Sequence, residues 1–404
     1  MKNKTSPVIA CLLGSLASAH AQLTIPAANG SDNAFSPTGA VYEVDLSQAV
    51  PGDALTFSNT AGNAGRGVYD AARWVVVYKY SAVNIPAGTT VTFKNHPSYA
   101  PVVWLVQNGV TISGTVSLNG KNAVTGTDSV FPVEPGPGGF RGGPGSQALG
   151  SGYGLGPGGG VPATNANASY NSTYGNTQVF PLIGGSGGKS LTGYVSAGAG
   201  GGAMMIAAVG TIQFQSTGSI TALGGTGTDY NGNLNGTYQY SGGSGGAIKL
   251  VANQVTGTGI LNATSTGRVR VEANSMPATI TTTPLTIAVA PGATPTLFPS
   301  STSPSVRVVS VDGAAAPADP NAPLITGADV GIQKSTAVTI ILETKNFSTA
   351  GGKVNVRIVG KYGGFTSLDI TAPNAGGTTS LSTWQVNTIM PAGFATIQAR
   401  ATGQ

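Results

Sequence analysis

Apolar and polar residues alternate along this chain in short runs, and no long segment repeats with the period of about 3.6 residues that marks an amphipathic helix. Thr90-Val91-Thr92-Phe93 alternates strictly, and Arg268-Val269-Arg270-Val271-Glu272 sends its valines to one side and its charges to the other. Val75-Val76-Val77 and Val102-Val103-Trp104-Leu105-Val106 are unbroken apolar runs, suited to strands covered on both faces. From residue 83 onward the runs are closely packed. Val83-Asn84-Ile85, a Pro86-Ala87-Gly88 turn, Thr90 to Phe93, the run from Val102, Val110-Thr111-Ile112 and Val116-Ser117-Leu118 follow one another with only Gly, Asn and Pro between them. Hairpins of ordinary length do not fit that spacing, whereas stacked coils of a parallel β-helix do.

A phrase of Gly-Gly-Ala, strand, turn, glycine and second strand then recurs. It begins at Gly201-Gly202-Ala203 and again at Gly245-Gly246-Ala247, and Gly267 opens one more coil. The expected fold class is therefore all-β: a parallel β-helix over 83–274, preceded by an N-terminal β cap over 22–82. A cap is needed because a first coil left open would expose a strand edge and the core. A glycine-rich insertion, 135–202, interrupts the coils with 23 glycines and two charged residues, Arg141 and Lys189. Its aromatic side chains are unsuited to a flexible linker and predict an excursion lying against the coil flank. The Pro/Thr-rich stretch 275–305 reads as a linker with one edge strand near 286–289. Beyond it, runs at 306–311, 337–343, 353–359, 367–371, 384–389 and 395–401 predict an Ig-like β-sandwich over 306–404.

Composition sharpens this picture. Glycine occupies 62 positions while charged residues make up 8% of the chain, so the polar faces must be built from Ser, Thr, Asn and Gly. Residues 1–21 read as a secretory signal peptide, with Lys2 and Lys4, an apolar stretch and an Ala19-His20-Ala21 cleavage site. Val8-Ile9-Ala10-Cys11 has the form of a lipobox, but Leu12-Leu13 carries the apolar run past Cys11, which favours simple cleavage. Cutting after Ala21 removes two of the 19 basic residues, leaving a net charge of +3, and removes the only cysteine. Stability must then come from burial and backbone pairing without disulfides. The expected location is periplasmic, cell-surface or extracellular. The scattered basic residues give no nucleic-acid footprint, and the mature chain has no apolar run long enough to span a membrane.

Several catalytic patterns arise from glycine abundance alone. Gly184-Gly185-Ser186-Gly187-Gly188 and Gly242-Gly243-Ser244-Gly245-Gly246 both fit G-x-S-x-G, but neither precedes a helical pattern, and His96 is the one histidine after residue 21. Gly188-Lys189-Ser190 ends like a phosphate loop, yet Ile183 stands where the leading glycine belongs. Gly224 to Asp229 opens like a calcium-binding nonapeptide; Asn231 breaks it, and Asp229 alone is a poor ligand set for calcium. For glycan cleavage the best acidic pair is Asp128 with Glu134, near Lys121 or Arg141, although solvation of a turn and a strand edge is the plainer reading. The loop tyrosines Tyr153, Tyr170, Tyr174, Tyr230, Tyr238 and Tyr240 are the candidates for a ligand-binding face, while Trp104 belongs in the core. Thr256 and Thr258 have the look of an ice-binding ladder, but the sequence shows no regular array across coils. No cofactor or metal is expected.

The segments Ile85-Pro86-Ala87-Gly88-Thr89-Thr90-Val91-Thr92-Phe93, Pro101-Val102-Val103-Trp104-Leu105, Val110-Thr111-Ile112-Ser113-Gly114 and Gly245-Gly246-Ala247-Ile248-Lys249-Leu250 resemble glycine-rich exported bacterial proteins. Those look like right-handed parallel β-helices of the pectate-lyase-like type. The resemblance implies a fold and an exported location and carries over no catalytic residue. The function expected is a non-enzymatic secreted or cell-surface scaffold, adhesin-like. The alternative is a β-helix protein that binds or cleaves extracellular polysaccharide. The expected partners are extracellular polysaccharide or cell-envelope components, or further copies of the chain.

Overall fold

The computed structural model describes residues 23–126, 131–146, 150–159, 174–190, 195–227, 242–264, 266–277, 279–317, 319, 329–360 and 370–403. The protein is all-β. Its described residues form 26 strands and one 3-10 turn, Leu46–Gln48, with no α-helix among them. No described helix is long and apolar enough to cross a membrane.

Two eight-stranded sheets dominate. The first runs Val41–Asp45, Thr90–Lys94, Thr115–Ser117, Thr211–Thr221, Gln254–Asn262, Ile280–Thr283, with Val83–Ile85 and Val110–Ile112 forming a second row on Thr211–Thr221. All its pairings are parallel. The second runs Val50–Pro51, Val68–Asp70, Val75–Tyr80, Val102–Val106, Ala203–Ala208, Ala247–Val251, Arg268–Glu272, Ala288–Val289. It too is parallel, apart from the antiparallel pairing of Val68–Asp70 with Val75–Tyr80. The chain visits the sheets in turn, so each strand pairs with its counterpart one circuit later. Val76 lies beside Val102, Val102 beside Met204, Met204 beside Ile248 and Ile248 beside Val269.

Alternation decides what each strand buries. The inward residues Val76, Tyr78, Val102, Trp104, Met204, Ile206, Ile248 and Leu250 meet Val91, Val116, Ile212, Ile220 and Leu261 of the first sheet in one continuous core. Each such aliphatic side chain contributes about 1.5–3 kcal/mol on leaving water. The second sheet is also covered on its outer side, where Val75, Val77, Val103, Leu105 and Met205 pack under Leu23, Ile25, Leu297 and Phe298. Burial on both faces accounts for its unbroken apolar runs. The stretch read as a linker thus does more: it supplies Ile280–Thr283 and Ala288–Val289, and buries Leu297 and Phe298.

Apart from the two-residue strands Gly145–Ser146 and Gly150–Ser151, the described glycine-rich segments form neither strand nor helix. Segments 118–124, 136–145, 152–159, 183–190, 195–202, 222–227 and 242–246 lie side by side, linked by backbone hydrogen bonds. Segment 195–202 shows the rule. The amides of Ser196, Ala199 and Gly202 donate to Val124, Lys121 and Leu118; those of Ala197 and Gly200 donate to Gly143 and Phe140; that of Gly201 donates to Ser244. Donors that share a direction recur at every third residue, the period of a polyproline-II-like chain, and not at every second as in a strand. The same segment accepts bonds from Gly185, Gly188 and Gly225, so it is tied to neighbours on all sides. Glycine is required by the closeness of these neighbours. A Cβ at Gly200 would stand 1.8 Å from the Gly185 carbonyl oxygen, and one at Gly246 would stand 1.7 Å from that of Gly202.

The C-terminal residues form two antiparallel sheets. One has five strands, including Ser305–Val311, Val338–Lys345 and Leu381–Thr388; the other has three, Ile370–Ala372, Lys353–Gly360 and Ala395–Thr402. They share a core of Ile340, Leu342, Val354, Val356, Ile358 and Trp384. Alternation along Lys353–Gly360 would turn Arg357 away from the core formed by Val354, Val356 and Ile358; it is nonetheless buried, with its guanidinium donating to the carbonyls of Gly156 and Gly159.

Candidate functional site

The serine motifs are structural. Ser186 and Ser244 face each other across two glycine segments: the Ser186 amide donates to Ser244 Oγ at 2.7 Å, and the Ser244 amide donates to the Ser186 carbonyl at 2.9 Å. His96 lies elsewhere, stacked on Tyr69 with ring centroids 3.9 Å apart, and its Nδ1 accepts from the amide of Ser98 at 3.1 Å. Burial holds the His96 pKa below its ordinary 6.5, against the opposing pull of Asp319. Lys189, in the segment resembling a phosphate loop, has its pKa lowered by burial.

Of the acidic pair, Asp128 lies outside the described residues, and Glu134 is taken up by Arg141 in a 2.8 Å ion pair. The Arg141 guanidinium also bonds the Tyr99 hydroxyl and covers its ring. Burial, with help from Glu134, raises the Tyr99 pKa. Tyr170, Tyr230, Tyr238, Tyr240 and Asp229 fall outside the described residues. Tyr153 is buried, and Tyr174 donates its hydroxyl to the Gly184 carbonyl at 2.7 Å while accepting from Ser186. Tyr153 is thus turned inward, and the half-buried Tyr174 is tied by its hydroxyl to the glycine array. Trp104 is fully buried, as expected. Among the described residues, no three His, Cys, Asp or Glu side chains gather to hold a metal.

What the structure does assemble is a set of uncharged polar ladders on the first sheet, one of them ending on the exposed Val41 and Ile260. Along the first sheet, register stacks Asn84 beside Thr111, Thr111 beside Gln213, and Gln213 beside Thr256. A second ladder stacks Thr90, Thr115 and Ser219, with Thr115 and Ser219 hydroxyls 3.0 Å apart. A third stacks Ser117, Thr221, Asn262 and Thr283. Thr256 joins the first of these mixed ladders, while Thr258 falls at the register shift and has no partner in it. Each rung takes its member from the outward positions of a strand whose inward positions, such as Val110 and Ile112 or Ile212 and Phe214, are buried. The first ladder runs into an open cleft of about 470 Å³, lined by residues 107–111 and by Val209, Gly210, Thr211 and Gln213. No charged side chain lines it. Close backbone approach shapes its wall, since a Cβ at Gly210 would lie 2.9 Å from the Asn108 carbonyl oxygen.

The chain matches no family model, and no curated protein or solved structure matches it.

Proposed function

We propose that this protein is a non-enzymatic secreted or cell-surface scaffold of adhesin-like character. In this reading the circuits of parallel strands make a right-handed parallel β-helix with an N-terminal cap, the C-terminal sheets make an Ig-like sandwich, and residues 1–21 direct export. One observation carries it: the described side chains best suited to chemistry are consumed by internal partners. The Ser244 hydroxyl accepts from the Ser186 amide, the Ser186 hydroxyl bonds Tyr174, Glu134 pairs with Arg141, and His96 bonds Ser98. An active site links such groups to one another, nucleophile to base and base to orienting group, whereas here each bonds a separate partner. A scaffold uses them to close its interior.

The second reading is a protein that binds or cleaves extracellular polysaccharide, and the uncharged ladders favour the binding half of it. A reducing-end assay over a polysaccharide panel separates scaffold from enzyme. The expected result is no new reducing ends with the unaltered protein. Turnover that disappears on the double change Asp128→Asn and Glu134→Gln would replace the scaffold reading with a hydrolase or lyase.

A further inference from the structure

We infer that the cleft between residues 107–111 and 209–213 is a binding site for a neutral, extended polysaccharide chain lying across the rungs of the first sheet. The inference deepens the carbohydrate-binding reading above and rests on it. Three features point to this ligand class. The cleft has no charged side chain, so it offers nothing to pair with a phosphate, sulfate or uronate, whereas anionic ligands are recognised through Arg or Lys. What it does offer is amide and hydroxyl groups, from Gln107, Asn108, Thr111, Thr211 and Gln213, the donor and acceptor set that matches sugar hydroxyls. Finally, the ladder Asn84–Thr111–Gln213–Thr256 repeats at the strand spacing of about 4.8 Å, close to the length one β-1,4-linked pyranose adds to an extended glycan. Thr111 and Gln213 line the cleft itself, and Asn84 and Thr256 extend the ladder beyond it, so successive sugars meet an amide or hydroxyl at each rung and affinity accumulates from individually modest bonds.

Calorimetric titration of the whole protein with β-1,4-linked glucohexaose, mannohexaose and xylohexaose tests the inference, with oligogalacturonate as the charged comparison. The expected result is saturable binding of at least one neutral oligomer and none of oligogalacturonate. Gln213→Ala and Thr111→Val should each weaken binding about tenfold, the loss of one to two well-made hydrogen bonds. Gln385→Ala, on an exposed C-terminal strand, should leave it unchanged. Matching melting curves establish that the variants are folded. The inference is overturned if no neutral oligomer binds, if oligogalacturonate binds equally well, or if the cleft variants bind as the unaltered protein does. Absence of binding leaves the reducing-end result untouched, and turnover in that assay would sink the scaffold reading without moving this site.

Discussion

A methyl group added at Gly200 would sit 1.8 Å from the Gly185 carbonyl oxygen, a backbone atom held by its own hydrogen bonds. Gly243 is similar, at 1.9 Å from the Ala199 carbonyl oxygen. Gly200→Ala and Gly243→Ala should therefore each cost about 3 kcal/mol or more, because the neighbouring segment must move. At Gly62 nothing lies within 4 Å, so Gly62→Ala should stay within about 0.5 kcal/mol. Urea denaturation distinguishes the two classes, and equal effects would show that the array is not close-packed. His96 makes a prediction of a different kind. Its pKa is lowered in the fold, so between that value and 6.5 the unfolded chain binds more protons than the native one. Stability thus rises with pH through this window and is lost as pH falls below about 6.5. The melting-temperature advantage of the native chain over His96→Gln should shrink between about pH 7.5 and pH 5.5. A constant difference would mean that His96 does not titrate in that range.

At the scale of elements, Arg268–Glu272 and Ala247–Val251 lie side by side, which brings Glu272 to Lys249 at 3.1 Å and to Arg270 at 3.2 Å. Lys249 is almost wholly buried, with its ammonium 3.8 Å from the centre of the Phe180 ring, and burial lowers its pKa against the pull of Glu272. Removing the carboxylate leaves the buried cation only the Gln178 carbonyl and the Phe180 ring, with no counter-charge, so Glu272→Gln should cost about 3 kcal/mol or more. Removing the cation leaves Glu272 with Arg270, so Lys249→Met should cost clearly less. Guanidinium denaturation of both variants checks the asymmetry, and equal losses would refute it. The strands themselves were legible in the sequence. Thr90–Lys94, Val102–Val106, Val110–Ile112 and Arg268–Glu272 all stand where alternation or an apolar run put them. The ladders were not, because Thr111 and Gln213 become neighbours only once register joins residues far apart in sequence. Nor was the glycine array, whose period of three leaves no side-chain pattern to read. Its serines and glycines instead imitate catalytic motifs.

For the molecule as a whole, the central question is whether its cores act together. The core between the two parallel sheets and the core of the C-terminal sheets share no side chain. Polar ties among the described residues join these regions: the Arg357 guanidinium donates to the carbonyls of Gly156 and Gly159, that of Arg400 to the Pro157 carbonyl, and the Tyr69 hydroxyl to Asp319 at 2.7 Å. Leu250→Ala and Leu342→Ala each open a cavity at a fully buried site and should each cost about 2–5 kcal/mol locally. Hydrogen exchange should rise across 204–271 in the first variant and across 338–386 in the second, each leaving the other region protected. In the double variant the effects should add, as they do for distant sites without shared partners. A non-additive result would assign the coupling to the Arg357 contacts, and Arg357→Ala should then restore additivity. If it did not, the two cores would be linked through the backbone between them, where Leu297 and Phe298 pack on the outer face of the second sheet.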